Sequence, residues 1–411
     1  MSGDLNLCPS PLHDLAVVGL GLIGSAALRH GSAAADVLGL GPAEPENWST
    51  HGGPFASHYD SGRITRGIDA RREWAMLAVR SIEQYPLIEQ ASGIEFHRAT
   101  GVVFVRNDGG AERIVAVAEE LGLDFTVGSV ADQLRDLPEL CLPADWTAVR
   151  EPGPAGAIDP RAMAAGQLAM AAEAGATLYR QSVVEIRQTT EGFELETSSG
   201  LTHQAREVLI AAGSYSNRFL TEPLAVAVRP EVVVLGEVSA EQAAVLESMP
   251  SLLYLLDHPL LDDVYVVPPV QYPNGAWYAK IGGSRRSAGL FEDTDAMNRW
   301  MQSDGQLAEL PALQEVLSAV LPGVEFRSWQ AKPCLITDTA SGLPYIDRLP
   351  NGMTVAFGGN GHAAKSSDAI GALGAALALG HGCWPDDDLP AEAFKARFGS
   401  YQPPTGSRHG T

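Results

Sequence analysis

The sequence predicts an α/β fold in which one domain is assembled from separated segments of the chain. Three glycine-turn units, near Gly19, Gly213 and Gly359, indicate this domain; each turn follows a strand, and the first and last lead into helices. Segments of short alternating strands lie between these units. A chain of 411 residues also exceeds what one simple core accommodates. The pattern therefore favours a discontinuous first domain and a second, β-sheet-rich domain built from the insertions.

The elements follow in order along the chain. An apolar strand leads through a glycine turn into a helix in DLAVVGLGLIGSAALRHG, and DVLGLG is a second strand. Apolar residues at helical spacing predict a helix within 69–93, and PRAMAAGQLAMAAEAGA is helical too. The strand EVLIAAG runs into the turn at Gly213, and 223–329 alternates strands with one acidic helix. The last unit predicts a helix from Ser366 to Leu379 after the turn GGNGH.

These changes of pattern set the domain boundaries. We expect the first domain to comprise residues 13–95, 150–220 and 330–385. The second domain comprises 96–149 and 221–329. Proline, serine and glycine dominate the two ends, so 1–12 and 399–411 are predicted to be loose tails.

Composition and charge exclude several classes of function. The formal charge of −22 argues against nucleic acid as a partner, since few cations are available to replace phosphate counterions. No uninterrupted apolar run has the length of a membrane span, and the first residues lack a basic and apolar leader. Four widely spaced cysteines form no C-x-x-C pair, so neither a metal nor a disulfide framework is expected. These observations predict a cytoplasmic protein.

The first glycine turn has the spacing of a dinucleotide-binding motif. Gly19, Gly21 and Gly24 form G-x-G-x-x-G between a strand and a helix, where the backbone can approach a pyrophosphate. A tight turn without a ligand is the alternative. The second strand ends at Gly41, where a Rossmann domain that binds NAD carries an acidic residue. Glu44 or Glu46 could substitute for the missing acidic residue, but both are displaced along the chain. The absence of an acidic residue at position 41 counts against NAD binding.

Several further motifs occur in an order that resembles the monomeric sarcosine oxidase family, among the D-amino-acid-oxidase-like flavoenzymes. The resemblance spans about residues 15 to 385. Besides the glycine motif, it rests on Ser57-His58, the pair Arg63 and Arg66, YAKIGG with Lys280, KPCLITDTASGLPYID with Cys334 and Asp347, and GGNGHAAKSS with Lys365.

The resemblance implies a discontinuous Rossmann-like FAD-binding domain and a β-sheet-rich substrate domain. In the family, the lysine matching Lys280 lies beside the flavin and activates dioxygen, while those matching Arg66 and Lys365 bind the substrate carboxylate. The cysteine matching Cys334 carries the flavin as a thioether. Arg63 and Tyr265 match a flavin-side arginine and a cavity tyrosine, and both are assigned to catalysis with Lys280. The cofactor-binding residues implied are Gly19, Gly21, Gly24, Ser57, His58, Arg63, Val184, Gly213, Cys334, Gly359, Gly361, His362 and Lys365.

The chemistry of these residues fits amine oxidation. A substrate carboxylate needs a fixed cation, and Arg66 offers a bidentate fork with Lys365 as a second charge. The helix after GGNGH directs its positive end at the anionic edge of a reduced flavin. A buried Lys280 would stabilise superoxide through its positive charge. The alternative is that Lys280 is an ordinary lysine on a surface strand, with its ammonium in water. Two further alternatives stay open: Cys334 could be an ordinary buried thiol, and Arg63 and Arg66 could be solvated charges.

We therefore expect an FAD-dependent oxidase of a small carboxylate-bearing secondary amine, an N-methyl or cyclic imino acid. Its products would be an imine or aldehyde and hydrogen peroxide, and the family implies a monomer without membrane partners. Ser284 stands where the family has its active-site histidine, which leaves the identity of the amine open. The alternatives are a flavin dehydrogenase that does not use oxygen, a NAD-dependent dehydrogenase and a non-catalytic nucleotide-binding protein.

Overall fold

The computed structural model describes residues 11–285, 289–305 and 309–404, with the side chain of residue 285 excepted. Most of the two predicted tails lies outside the described residues. The strands are β1 (Leu12–Val18), β2 (Val37–Leu40), β3 (Arg63–Thr65), β4 (His97–Arg98), β5 (Val102–Arg106), β6 (Thr126–Ser129), β7 (Thr147–Glu151), β8 (Gly156–Ile158), β9 (Thr177–Tyr179), β10 (Val183–Gln188), β11 (Phe193–Thr197), β12 (Thr202–Ile210), β13 (Val226–Val238), β14 (Ser251–Leu255), β15 (Leu261–Gln271), β16 (Trp277–Arg285), β17 (Trp329–Thr339), β18 (Tyr345–Arg348) and β19 (Thr354–Phe357).

Helices cover the first sheet and occur between strands of the second. They are α1 (Leu22–Ser32), α2 (Arg72–Ser92), α3 (Gly110–Glu120), α4 (Val130–Gln133), α5 (Pro160–Glu173), α6 (Ala240–Val245), α7 (Thr294–Gln302), α8 (Leu310–Val320), α9 (Ala363–Leu379) and α10 (Ala391–Phe394). Short 3-10 helices occupy Trp48–Thr50 and Gly213–Phe219. In the described ranges, no helix combines the length and the apolarity needed to cross a membrane.

The first sheet brings the glycine turns to one edge. Its strand order is β10-β11-β12-β1-β2-β9, and β19 pairs with β12 and β18. Strands β1, β2, β12 and β19 run parallel, with Val18 in register with Leu40 and Ile210. Because the carboxyl ends of parallel strands meet at one edge, the turns after these strands converge there. Helix α1 packs against α9 so closely that a Cβ at Gly371 would lie 2.6 Å from the Cβ of Ala26.

The second sheet forms a separate wall. Its order is β17-β13-β16-β15-β14-β5-β7-β6, and a small sheet, β3-β8-β4, lies beside it. Cα partners across four of its strands form one row, Gly282, Tyr265, Leu253 and Phe104. A second core packs on the other face of this sheet, around residues such as Val234 and Ile281. The predicted α/β architecture is confirmed.

Two local expectations differ from the structure, whereas the predicted turn at Gly213 is present and leads into a 3-10 helix. The region 223–329 contains α6, α7 and α8 instead of one helix, and α6 begins at a capping box of Ser239 and Gln242. Helix α9 begins three residues before Ser366, since the alanines after His362 favour helix. Strand β17 belongs to the second sheet, although the sequence-based boundary places most of it in the first domain, and that division stays a prediction.

Candidate active site

The glycines after β1 form a narrow cradle at the edge of the first sheet. Gly19 has φ +99°, and a Cβ there would lie 2.6 Å from the carbonyl oxygen of Ala211. A Cβ at Gly24 would lie 1.7 Å from the carbonyl oxygen of Gly19, so α1 rests directly on the turn. Helix α1 has Gly21 as its N-cap residue, without a side-chain cap or an acidic residue in its first turn. Its amides are therefore available to an anion.

His58 lies beside this cradle and carries an unsatisfied polar atom. Its Nδ1 is buried and has no hydrogen-bond partner among the described residues. The same atom lies 3.6 Å from where a Cβ at Gly21 would be. Burial, helped by Arg161, lowers the pKa of His58 to about 3, so its imidazole is neutral. A buried nitrogen without a partner at the mouth of a glycine cradle is suited to a bound polar ligand.

The end of β2 shows why an acidic residue is missing there. A Cβ at Gly41 would lie 2.8 Å from the backbone nitrogen of Leu20, so no larger side chain fits without a shift. The displaced candidate Glu44 is bound by Arg161, through Nε at 2.6 Å and Nη2 at 2.7 Å. Glu46 is exposed. Where a NAD site has an acidic side chain that binds the ribose, this chain has the backbone of Gly41 packed closely against that of Leu20.

Helix α9 places Lys365 in its first turn, not in the preceding loop. The chain approaches through Gly358 and Gly361, which have φ +94° and +82°. The helix has His362 as N-cap residue and no acidic residue in its first turn. The positive end of α9 and the Lys365 ammonium therefore reinforce each other at this position.

A buried carboxylate, Asp69, holds the predicted substrate-binding cations. Its Oδ2 accepts from Arg66 Nη1 at 2.8 Å and from Lys365 Nζ at 2.9 Å, and lies 3.2 Å from His362 Nδ1. Asp69 is 2% exposed, Arg66 4% and Lys365 3%. Burial alone would raise the pKa of Asp69, but the charges of Lys365 and Arg66 hold it well below its ordinary value. Burial lowers the pKa of Lys365 to about 8.

A second buried carboxylate, Asp60, holds Arg63 and Lys280. Its carboxylate accepts from both cations and from the Tyr272 hydroxyl, which is 2.7 Å from Oδ1. Lys280 is 0% exposed, so the prediction of a buried lysine is confirmed and the alternative of a surface lysine is wrong. Despite burial, the charges of Arg63 and Lys280 hold the pKa of Asp60 far below its ordinary value.

Cys334 and Tyr265 lie on the sheet wall near this cluster. The Cys334 sulfur is partly exposed, 3.8 Å from Arg63 Nη2. The ring of Tyr265 lies over Gly282, where a Cβ would be 2.5 Å from the phenol oxygen. Burial raises the pKa of Tyr265, so the phenol keeps its proton. Ser284, at the position of the family's histidine, hydrogen bonds with Asp263.

These groups surround a cavity of about 1220 Å³ between the two sheets. The predicted site residues that line it are Gly19, Gly21, Ser57, His58, Arg63, Arg66, Gly213, Tyr265, Cys334, Gly359, Gly361, His362 and Lys365. Gly24, Val184 and Lys280 stand outside the wall formed by the described residues. Val184 exposes 43% of its surface, and its neighbour Val183 lines the cavity instead.

Sequence reasoning missed the two carboxylates and one wall segment. Asp60 precedes Arg63 by three residues and Asp69 follows Arg66 by three, a spacing that could have suggested ion pairs. Residues 400–404 also line the cavity, within the segment predicted to be a tail. In the described ranges, no group of histidine, cysteine and acidic side chains is placed to hold a metal ion.

The cavity fits FAD. Its cradle has no room for a Cβ at Gly19 or Gly24, the starts of α1 and α9 direct uncapped amides into it, and His58 presents an unpaired nitrogen. A diphosphate would lie against the first helix and a flavin ring between α9 and the second sheet. The volume exceeds the 300–1,000 Å³ or so of an ordinary small-molecule site, which leaves room for a substrate as well.

Comparison with known proteins agrees with this fit. Residues 14–377 match the family described as DAO, FAD dependent oxidoreductase. The chain is 28% identical over 388 residues to monomeric sarcosine oxidase of Streptomyces avermitilis, covering 90% of this chain and 94% of the relative.

Two solved structures share the fold at low identity. One is NikD, an unusual amino acid oxidase essential for nikkomycin biosynthesis, with TM-score 0.72, 18% identity and coverage of 95% of this chain and 98% of that one. The other is L-proline dehydrogenase from P. horikoshii, with TM-score 0.71, 17% identity and coverage of 94% and 97%.

Proposed function

The chain belongs to the family of FAD-dependent oxidoreductases, and on this premise we propose that it oxidises a small secondary amine that carries a carboxylate. The substrate would be an N-methyl or cyclic imino acid, and dioxygen the electron acceptor. The observation that carries the proposal is the convergence of Arg66 and Lys365 in the cavity wall. The alternative of a NAD-dependent dehydrogenase is wrong, since the family uses FAD.

Arg66 and Lys365 keep donors for a ligand although Asp69 binds both. Arg66 donates hydrogen bonds from Nη1 to Asp69 and to the carbonyl oxygen of Ile68, while its Nη2 lies 3.5 Å from His362 Nδ1. Lys365 has three N–H donors, of which Asp69 takes one. Asp69 thus orients the two cations, and their remaining N–H groups can bind a substrate carboxylate at the cavity surface.

Oxidation of such an amine is a two-electron reaction. Two electrons and two protons leave the carbon–nitrogen bond of the amine, giving an imine that water hydrolyses to an aldehyde and an amine. When bound, FAD accepts the two electrons and passes them to the acceptor. With dioxygen as acceptor the second product is hydrogen peroxide. The chain contributes carboxylate binding, the positive start of α9 and the cations around Asp60, which favour negative charge in the cavity.

One observation favours the oxygen-independent dehydrogenase as a second candidate. Lys280, which corresponds to the family's oxygen-activating lysine, has no exposed surface and is bound to Asp60. Because Lys280 is not among the residues that line the cavity, its ammonium would act on dioxygen there only through its electric field, which is weaker than a direct contact. In that case an acceptor other than dioxygen would take the electrons.

The test compares N-methylated and cyclic imino acids with their amides, by oxygen uptake, peroxide formation and reduction of an artificial acceptor. Lys365→Met should lower kcat/KM for the acids about 10- to 100-fold, the value of a charged hydrogen bond of about 1.5–3 kcal/mol, and change the amides little. Lys395→Met is the matched control, because that lysine is 58% exposed and pairs with Glu392.

Each outcome separates one part of the proposal. Equal loss on acids and amides would contradict carboxylate binding by Lys365. Amine-dependent reduction of the artificial acceptor without oxygen uptake would favour the dehydrogenase.

A further inference from the structure

Asp60 is a buried carboxylate that accepts hydrogen bonds from four groups. It is 4% exposed. Its Oδ2 accepts from Lys280 Nζ at 2.5 Å and from Arg63, and its Oδ1 accepts from Tyr272 at 2.7 Å and from the amide of Ser61 at 2.9 Å. A carboxylate that accepts this many hydrogen bonds is held in its charged form and in one position.

Lys280 depends on this carboxylate for its charge. Its ammonium is buried, and a buried ammonium loses its proton unless an anion compensates the lost hydration. It donates to Asp60 and to the Gly62 carbonyl at 2.6 Å, which leaves one of three N–H groups. That last group lies near the Tyr265 ring, whose centroid is 5.6 Å from Nζ.

Arg63 competes for the same anion and repels Lys280. Burial first, and then the Arg63 charge, lower the pKa of Lys280 to about 8, whereas Asp60 raises it. Two cations thus share one carboxylate, with a net charge of one positive. Charged and titratable groups from several elements surround the pair. They are Asp60 and Arg63 before and at the start of β3, Asp159 and Arg161 at the start of α5, Tyr265 and Tyr272 from β15 and its end, and Cys334 and Lys332 from β17.

We infer that Asp60 is a positioning residue for Lys280, which it keeps as an ammonium and fixes against the Gly62 carbonyl beside the flavin site. The link to dioxygen rests on the proposed function; the link between the two side chains does not. Without Asp60, Lys280 loses its counter-ion while Arg63 keeps its charge. The positive charge of the pair then lies on the Arg63 guanidinium, and Lys280 is a neutral amine.

The four lysines of the chain allow a direct measurement. Holoenzyme labelled with ¹³C at lysine Cε is titrated by NMR, and the Lys280 signal is assigned with Lys280→Met. In Asp60→Asn we expect the midpoint of Lys280 to fall by about one to three pH units, the effect of an opposite charge within hydrogen-bond distance. Lys395, on the surface, is the internal control, and Asp69→Asn should move Lys365 while leaving Lys280 unchanged.

A midpoint of Lys280 that stays in place in Asp60→Asn would overturn the inference. If Asp60→Asn does not fold, Arg63→Gln gives the opposite test, since Asp60 then serves Lys280 alone and the midpoint should rise; a fall would refute the shared-anion arrangement. Oxygen uptake against pH is recorded in parallel. A shifted midpoint with an unshifted oxygen profile supports the role of Asp60 and contradicts the use of Lys280 for dioxygen in the proposed function.

Discussion

Asp69→Asn removes the charge that two buried cations share while preserving the shape of the side chain. Arg66 and Lys365 contact Asp69 at 2.8 and 2.9 Å, and all three residues are at most 4% exposed. Removing one partner of a buried ion pair costs about 3–5 kcal/mol, because the remaining charge is neither hydrated nor paired. With about 2.1 cal/mol/K per residue for the entropy of unfolding, 411 residues translate this loss into a fall in Tm of about 3–6 °C.

The same variant should change the acid response. The pKa of Asp69 is depressed in the folded chain, so its contribution to stability is present above its ordinary pKa near 4 and is lost as pH falls below that value. Asp69→Asn lacks this contribution at every pH. The difference in unfolding free energy between wild type and variant should therefore be largest near neutral pH and shrink below about pH 4.

Thermal and urea unfolding of the holoenzyme measure both effects. Asp132→Asn is the matched control, because its pair with Arg135 is 65% and 79% exposed and should be worth less than about 1 kcal/mol. A Tm for Asp69→Asn equal to that of Asp132→Asn, or a deficit independent of pH, would refute the assignment of Asp69 as the counter-ion of the two cations.

Two further variants address cofactor binding. Gly19→Ala should purify with little flavin, read from the ratio of absorbance at 450 and 280 nm, because the added methyl meets the carbonyl of Ala211 at 2.6 Å; full flavin content would contradict the cradle. Cys334→Ala should release all flavin into the supernatant on acid precipitation, whereas wild type keeps colour in the pellet if the sulfur beside Arg63 carries the cofactor. Colour in the wild-type supernatant would leave Cys334 as a plain thiol.

Local spacing was sufficient for the fold and the cofactor cradle. The G-x-G-x-x-G turn, the glycines before α9 and the alternation of apolar residues depend on neighbours a few positions away, and the α/β class was inferred from them. The family and FAD were inferred from the resemblance that several separate motifs carry together. Element ends were less predictable. The start of α9 shifted by one turn because nothing between His362 and Ser366 marks a boundary.

The pairing of the two carboxylates with lysines was not predictable, because the lysines are distant in sequence, whereas Arg63 and Arg66 lie only three residues from Asp60 and Asp69. Lys280 is 220 residues from Asp60, and Lys365 is 296 residues from Asp69. Only the packing of the second sheet and of α9 against the loops around β3 brings these charges together. The roles of the assigned residues stay predictions, which the variants described above test.

The distribution of lysine has a practical consequence for chemical labelling. Of four lysines, Lys280 and Lys365 are buried and Lys332 is half-buried, with its ammonium 5.3 Å and 5.6 Å from the ring centroids of Tyr272 and Trp48. Lys395 alone among them exposes more than half of its side chain. Among the four lysines, amine-reactive dyes and surfaces should therefore couple to the native protein mainly at Lys395, which narrows the orientations of molecules immobilised through lysine and leaves Lys365 in the cavity wall unmodified.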